Sequence, residues 1–354
     1  MHVALAFNLR KETAQGLTEV STEPPAEPPS EPPSPADDIY AEWDDIHTIK
    51  AVESALSRRH RVTLVEADLD AFQHFRRLRP DIVFNMAEGL HGTSREAQIP
   101  AILEMLAIPY TGSDPVTLGI CLDKGRTKEI LAYHQIPTPR FTVVHSCAAI
   151  PRRLRYPQMV KPILEGSSKG VTDKALVRNR KELQRQVEWV LTHYRQPALI
   201  EEFLPGREFT VALLGNGDSL KVLPIVEINL DTLPAGVNPI YSYEAKWIWD
   251  TEEKPLTIFT CPAQLDPNLQ QAIETVSKRA FTALGCRDWC RIDVRLDRHG
   301  SPNIIELNPL PGILPRPEQN SCFPKAARAA GLNYDELILS VVNAASERLA
   351  HGKR

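Results

Sequence analysis

Arg291-Ile-Asp-Val-Arg-Leu-Asp-Arg-His-Gly300-Ser-Pro-Asn-Ile-Ile-Glu306-Leu-Asn308-Pro-Leu-Pro-Gly312 is the stretch around which the chain is organised. Two short apolar runs, 292–296 and 303–307, flank Asp297-Arg-His-Gly-Ser, whose Asp and Gly suit a tight hairpin turn. A hairpin brings Asp293 on one strand beside Glu306 and Asn308 on the other. Strand side chains alternate, so Glu306 and Asn308 share a face and Leu307 takes the opposite one. Two carboxylates and an amide oxygen converging there repel one another unless a hard cation sits between them. An oxygen-only set with open positions suits Mg²⁺ bridging nucleotide phosphates. A solvated hairpin with its polar groups in water is the alternative. Apolar residues on both faces and the stiff Pro-Leu-Pro-Gly exit argue against it.

Upstream, Glu165-Gly166-Ser167-Ser168-Lys169-Gly170 is small, flexible and rich in backbone and hydroxyl donors, as a loop closing over phosphate oxygens needs to be. A plain glycine turn fits the same letters, and the spacing is not that of a Walker loop. Lys161 lies in Gln158-Met-Val-Lys-Pro, a run of buried character, and a lysine there calls for an anionic partner. The run 199–210 sets apolar residues against carboxylates; a flat slot there suits adenine, with Glu208 accepting from ribose hydroxyls. A buried strand with exposed glutamates fits it equally. Lys246, in Ser-Tyr-Glu-Ala-Lys-Trp, follows a long Pro/Gly-bearing loop, where lids are commonly found.

The 354 residues are 42% hydrophobic and 24% charged, with net charge −4. That predicts a soluble α/β protein of two or three sub-domains with neither nucleic acid nor an anionic membrane as partner. The opening Met1-His-Val-Ala-Leu-Ala-Phe lacks a basic leader, and no run approaches the ~18 apolar residues of a span, so a cytoplasmic place is expected. Six scattered cysteines then read as reduced thiols; Cys286 and Cys290 form one C-x3-C without a second pair for zinc. His2–Phe7 reads as a buried strand, followed by a Pro/Glu-rich segment (about 21–37) unable to build a core. Strands near 62–65 and 81–84 alternate with helical patterns at 46–58 and 99–107, predicting a small parallel lobe. Residues 114–134 read as a helical connection into a second lobe. Further helices are expected at 181–193, 268–284 and 334–348.

The order and spacing of these pieces resemble the ATP-grasp superfamily, specifically the D-alanine–D-alanine ligase family. The pieces are IPYTGS (108–113), DKGRTK (123–128), VKP (160–162), EGSSKGV (165–171), EEFLPGREFTV (201–211), YEAKW (243–247), LGCRDWCRIDVRLD (284–297), IIELNPLPG (304–312) and PKAARAAGL (324–332). The resemblance implies an ATP-grasp fold of α+β lobes, bounded at 1–113, 114–205 and 206–354, with ATP between the second and third. It implies ATP and two Mg²⁺ ions as cofactors, with Mn²⁺ able to substitute. Lys124, Lys161, Gly166, Ser167, Ser168, Glu201, Phe203, Leu204 and Glu208 would hold the nucleotide. Asp293, Glu306 and Asn308 would ligate metal. Arg291, Gly312, Lys246 and Ser167 would serve catalysis. The reaction implied joins a carboxylate to an amine through an acyl phosphate. The partners are small amino-acid or carboxylate substrates, with a homodimer through the N-terminal lobe.

The departures lie on the amino-acid side. The family's glycine-serine-glutamate signature after the first strand is missing; Glu12 is the candidate replacement. The family's His-Gly stretch becomes Glu88-Gly-Leu-His91-Gly-Thr-Ser-Arg95-Glu96, and Trp247 stands where a tyrosine is usual. Ser321 is the candidate for holding the acceptor's carboxylate. These changes predict a ligase whose substrates are not two D-alanines. The alternatives are a genuine D-alanine–D-alanine ligase with a divergent N-terminal lobe and an ATP-binding regulator without activity.

Overall fold

The computed structural model describes residues 1–10, 42–249 and 256–351. Glu12 and the Pro/Glu-rich segment lie outside the described residues.

Strand β1 (His2–Phe7) pairs in parallel with β2 (Arg61–Glu66) and β3 (Ile82–Asn85), in the order β2-β1-β3. Val3, Ala4, Leu5 and Ala6 are all fully buried, as befits a central parallel strand covered on both faces. Helix α1 (Ile46–Ser57) begins at Asp45, whose carboxylate accepts from the Thr48 amide, and buries Ile49, Val52, Ala55 and Leu56 at helical spacing. Helices α2 (Ala71–Leu78) and α3 (Gln98–Met105) contribute Phe75 and Leu103 to the core on the other face.

The expected helical connection over 114–134 consists of two helices, α4 (Pro115–Leu122) and α5 (Lys124–Tyr133). Asp123 breaks it: its backbone is extended, and its carboxylate accepts from the Gly125 and Arg126 amides. A strong N-cap at that point outweighs helical continuity. The next sheet is antiparallel, with β4 (Phe141–Val144), β5 (Gln158–Pro162), β6 (Leu176–Val177) and β7 (Ala198–Glu202) in the order β4-β7-β5-β6. Helix α6 (Arg180–His193) packs Leu183, Val187 and Val190 against it.

The third sheet contains β8 (Glu208–Leu214), β9 (Lys221–Val222), β10 (Val226–Ile228), β11 (Phe259–Thr260), β12 (Trp289–Leu296) and β13 (Pro302–Asn308). Its order is β11-β10-β8-β12-β13, with β9 also on β8. Helix α7 (Pro267–Ala283) lays Ile273, Val276, Ala280 and Phe281 against Phe209, Val211, Ile292 and Val294. Helices α8 (Cys322–Ala329) and α9 (Tyr334–His351) return to the first sheet, where Phe323, Leu337 and Val341 share one core with Val3, Leu5 and Leu56. The end of the chain thus ties the first and third sheets together. Among the described residues, no helix is long and apolar enough to cross a membrane.

Candidate active site

The hairpin forms in the expected register: β12 pairs antiparallel with β13, with Asp293 opposite Glu306 and Arg291 opposite Asn308. A bulge at this point leaves Ile305 unpaired as the register passes from Glu306 to Ile304. On its other edge Asp293 faces Thr210 of β8. Arg291 reaches Asp293 at 3.1 Å and Glu306 at 3.9 Å, and Lys124 at the start of α5 reaches Glu306 at 3.4 Å. Burial raises the Asp293 carboxyl, Arg291 opposes this, and the neighbouring Glu306 adds to it. Glu306 goes the other way: burial is outweighed by Lys124, Lys161 and Arg291, which hold it ionised. A hard divalent cation fits this donor set of two carboxylates and an amide. Arg291 Nε is buried without a hydrogen-bond partner among the described residues, a donor available to an anion.

On the second sheet, Lys161 of β5 and Glu201 of β7 are diagonal neighbours, since Leu199 stands opposite Lys161 and Met159 opposite Glu201. Lys161 Nζ lies 2.6 Å from Glu201 Oε1, and Lys128 of α5 lies 2.8 Å from Oε2. Burial would raise Glu201, but Lys128 and Lys161 together bring it down to about 2. Across the cleft, Glu208 of β8 accepts from Arg295 directly opposite it on β12, at 2.8 Å. Arg295 also stacks over Phe203, 4.6 Å from the ring centroid. Leu204 completes this apolar edge.

The glycine loop covers the cleft. Ser167 and Ser168 both hold left-handed backbone (φ 51° and 61°), an uncommon state for residues with a side chain. Ser168 Oγ donates to Tyr241 O, and the Trp247 indole N–H donates to Ser167 O at 3.0 Å, stitching the loop to the segment carrying Lys246. That segment is a π-helical turn, Ala245–Trp249, rather than open loop. Lys246 lies 5.2 Å from the Trp247 ring centroid, and Arg10 lies 5.6 Å from it. Burial, with Arg291 adding, lowers the Lys246 ammonium to about 8. The covered cleft has a volume of about 140 Å³, below the 300–1,000 Å³ typical of ligand sites.

A larger cavity of about 610 Å³ continues from it, sharing Lys124, Lys246, Arg291 and Glu306. Glu88, Trp247, Asn308, Gly312 and Ser321 line this second space. Burial pushes the Glu88 carboxyl well up, and Glu96, Glu42 and Asp44 push the same way. Ser321 Oγ donates to Gly312 O at 3.0 Å and accepts from the Leu314 amide at 3.2 Å, so its single proton is committed within the chain. His91 is not brought in: its side chain is exposed and lines neither cavity. Gln98 holds the His91 carbonyl beside Gly92, whose positive φ turns the backbone there. The Gly166 amide, expected to face phosphate, donates to Glu42 Oε1 at 3.0 Å.

Lys128, Arg295, Glu42 and Lys169 were not singled out by sequence. Lys128 stands in the quoted DKGRTK and Lys169 in EGSSKGV, but nothing in either spacing reveals a buried ion pair.

Residues 130–343 match the family model for the D-ala D-ala ligase C-terminus. The chain is 35% identical to the uncharacterized protein y4sG of Sinorhizobium fredii over 86% of this chain and 89% of that one. It is 36% identical to a D-alanine–D-alanine ligase of Bordetella avium over 73% of this chain and 77% of the relative. The fold superposes over the whole of both chains on a crystal structure of D-alanine–D-alanine ligase from Bacillus anthracis complexed with ATP, with TM-score 0.69 at 21% identity. The fold is therefore the ATP-grasp fold, and the chain is an ATP-dependent ligase that forms C–N bonds. It belongs to the D-alanine–D-alanine ligase family.

Proposed function

We propose that this ligase activates a carboxylate as an acyl phosphate and joins it to an amine, with at least one substrate other than D-alanine. The observation that carries the substrate part is the 610 Å³ cavity, with Trp247, Glu88, Glu96 and Asp44 on its walls. Its walls also carry Arg10, Lys124, Lys246, Arg291 and Arg316, so it offers charges of both signs, and its volume, within the ordinary range for a small-molecule site, leaves room for side chains longer than a methyl group.

The roles assigned from the sequence belong to this proposal. Lys124, Lys161 and Lys246 face the cleft where the phosphates would lie, and spreading charge over the transferring phosphoryl is the main task in such chemistry. Phe203, Leu204, Glu201 and Glu208 would receive adenine and ribose. Mg²⁺ held by Asp293, Glu306 and Asn308 would neutralise phosphate charge. The substrate carboxylate oxygen bonds to the γ-phosphorus as the bond to ADP breaks. The amine then attacks the acyl carbon, and phosphate leaves with its bonding pair while the nitrogen loses a proton. Arg291 and the Gly312 amide would meet the oxyanion of that second step, an arrangement commonly worth ~10²–10³ in turnover. The glycine loop and the Trp247 turn exclude water from the acyl phosphate. The lobe limits 1–113, 114–205 and 206–354 belong to the same proposal, supported by one sheet in each, and so does a cytoplasmic place.

The similarity to the Bordetella avium protein favours a second reading, condensation of two D-alanines. ADP release with Mg²⁺ and ATP across D- and L-amino acids, singly and in pairs, with product masses, separates them. A mixed or non-alanine product is expected. D-alanyl-D-alanine as the best product overturns the substrate part. ATP binding without turnover on any pair would favour a regulator.

A further inference from the structure

Glu42 precedes α1 on the side of the first sheet, yet its carboxylate sits in the glycine loop that follows β5. Oε1 accepts the Gly166 amide at 3.0 Å, while Oε2 lies 2.9 Å from both Arg95 and Lys169. Lys169 also pairs with Glu165 at 2.5 Å, and Arg95 donates to Leu164 O at 3.0 Å. Two acids and two bases thus form a neutral quartet across two lobes, with every side chain 14% exposed or less. Removing one member leaves an uncompensated charge in a place water barely reaches. Glycine at 166 permits this close approach: a Cβ there would stand 2.4 Å from Glu42 Oε1 and push the carboxylate away. No step of phosphoryl or acyl transfer uses Glu42, Arg95 or Lys169.

We propose that Glu42 is a positioning residue for the reaction: it takes the Gly166 amide and, with Arg95 and Lys169, holds the 165–170 loop down over the nucleotide cleft. What the loop protects rests on the ligase function proposed above. With the latch broken, the loop lifts and water reaches the acyl phosphate. Attack by water returns the free carboxylate and inorganic phosphate, so ADP is made without amide.

The test uses the full chain with Glu42→Ala, Glu42→Gln and Lys169→Met. Backbone hydrogen exchange across 164–171, with and without Mg²⁺ and ATP, reads the loop itself. Exchange there should rise about tenfold in Glu42→Ala and Lys169→Met and well beyond any rise elsewhere in the chain, as for local rather than global opening, over and above the lower melting temperature that an unpaired buried charge brings. Glu42→Gln keeps an acceptor for Gly166 and should fall between. Released ADP should exceed amide formed in the first two variants and match it in the parent. Unchanged exchange and unchanged ADP-to-amide ratio in both variants overturns the proposal. Exchange that rises equally over the whole chain does too, since Glu42 is then only a structural ion pair. If no substrate pair yields amide even in the parent, the ligase function fails while the exchange measurement still decides the latch.

Discussion

Lys128 Nζ lies 2.8 Å from Glu201 Oε2, with the lysine side chain fully buried and the glutamate 4% exposed. Lys128 Nζ also donates to Thr138 Oγ1 at 2.9 Å, whose own proton goes to Ile304 O of β13. The ion pair therefore joins helix α5, the second sheet and the β12–β13 hairpin. Lys128→Met leaves Glu201 with Lys161 alone. Since losing one partner of a buried pair costs ~3–5 kcal/mol, and one partner remains here, a loss near 3 kcal/mol is expected in urea unfolding. A Lys128→Met, Glu201→Gln double variant should recover part of it. An additive double variant would show that the two residues are not coupled.

Acid should reveal the same pair. The Glu201 carboxyl is held at about 2 in the folded chain, against 4.5 in its ordinary state. A depressed carboxyl stabilises the fold above its unfolded value and loses that contribution as pH falls through its folded value. The expected loss between pH 4.5 and 2 is on the order of 3 kcal/mol. Glu201→Gln should flatten this part of the stability curve; an unchanged acid limb would assign it to other carboxylates.

Glu306→Gln removes the more firmly ionised of the two hairpin carboxylates and frees Lys124 from its 3.4 Å contact. The Mg²⁺ concentration giving half-maximal ATP turnover should rise by about tenfold or more, as expected for losing a charged oxygen ligand. The parent should lose turnover on chelation and regain it with Mg²⁺. A variant with the parent's Mg²⁺ dependence would remove Glu306 from the metal site.

Lys246 supplies an alkaline limb. Its ammonium is lowered to about 8, chiefly by burial, so kcat/KM for ATP should fall as pH rises through that value, reporting the free enzyme. Lys246→Arg keeps its charge throughout this range. The limb should then move to higher pH even if overall activity drops. A limb that stays near 8 in the arginine variant belongs to another group.

Much of the framework was legible in the sequence. The strands at 2–7 and 158–162 follow from short runs of buried character, the helix beginning at Ile46 from apolar residues at helical spacing, and the Asp293–Glu306 pairing from a turn between two strands, signals that operate over a few residues. The cap at Asp123 is equally local, but the helical pattern of 114–134 does not by itself mark where one helix ends and the next begins. His91 looked like a site residue because of its motif position, and a glycine turn sent it to solvent. The charge balance of the cleft was decided only by tertiary structure. Glu42 and Gly166 are 124 residues apart, and the partners of Glu201 and Glu208 lie on other elements. A buried carboxylate needs a cation within a few ångströms, and which cation that is depends on how whole elements pack. Local pattern set the elements and the hairpin chemistry; packing chose the partners of the buried charges, because burial itself arises only when the lobes meet.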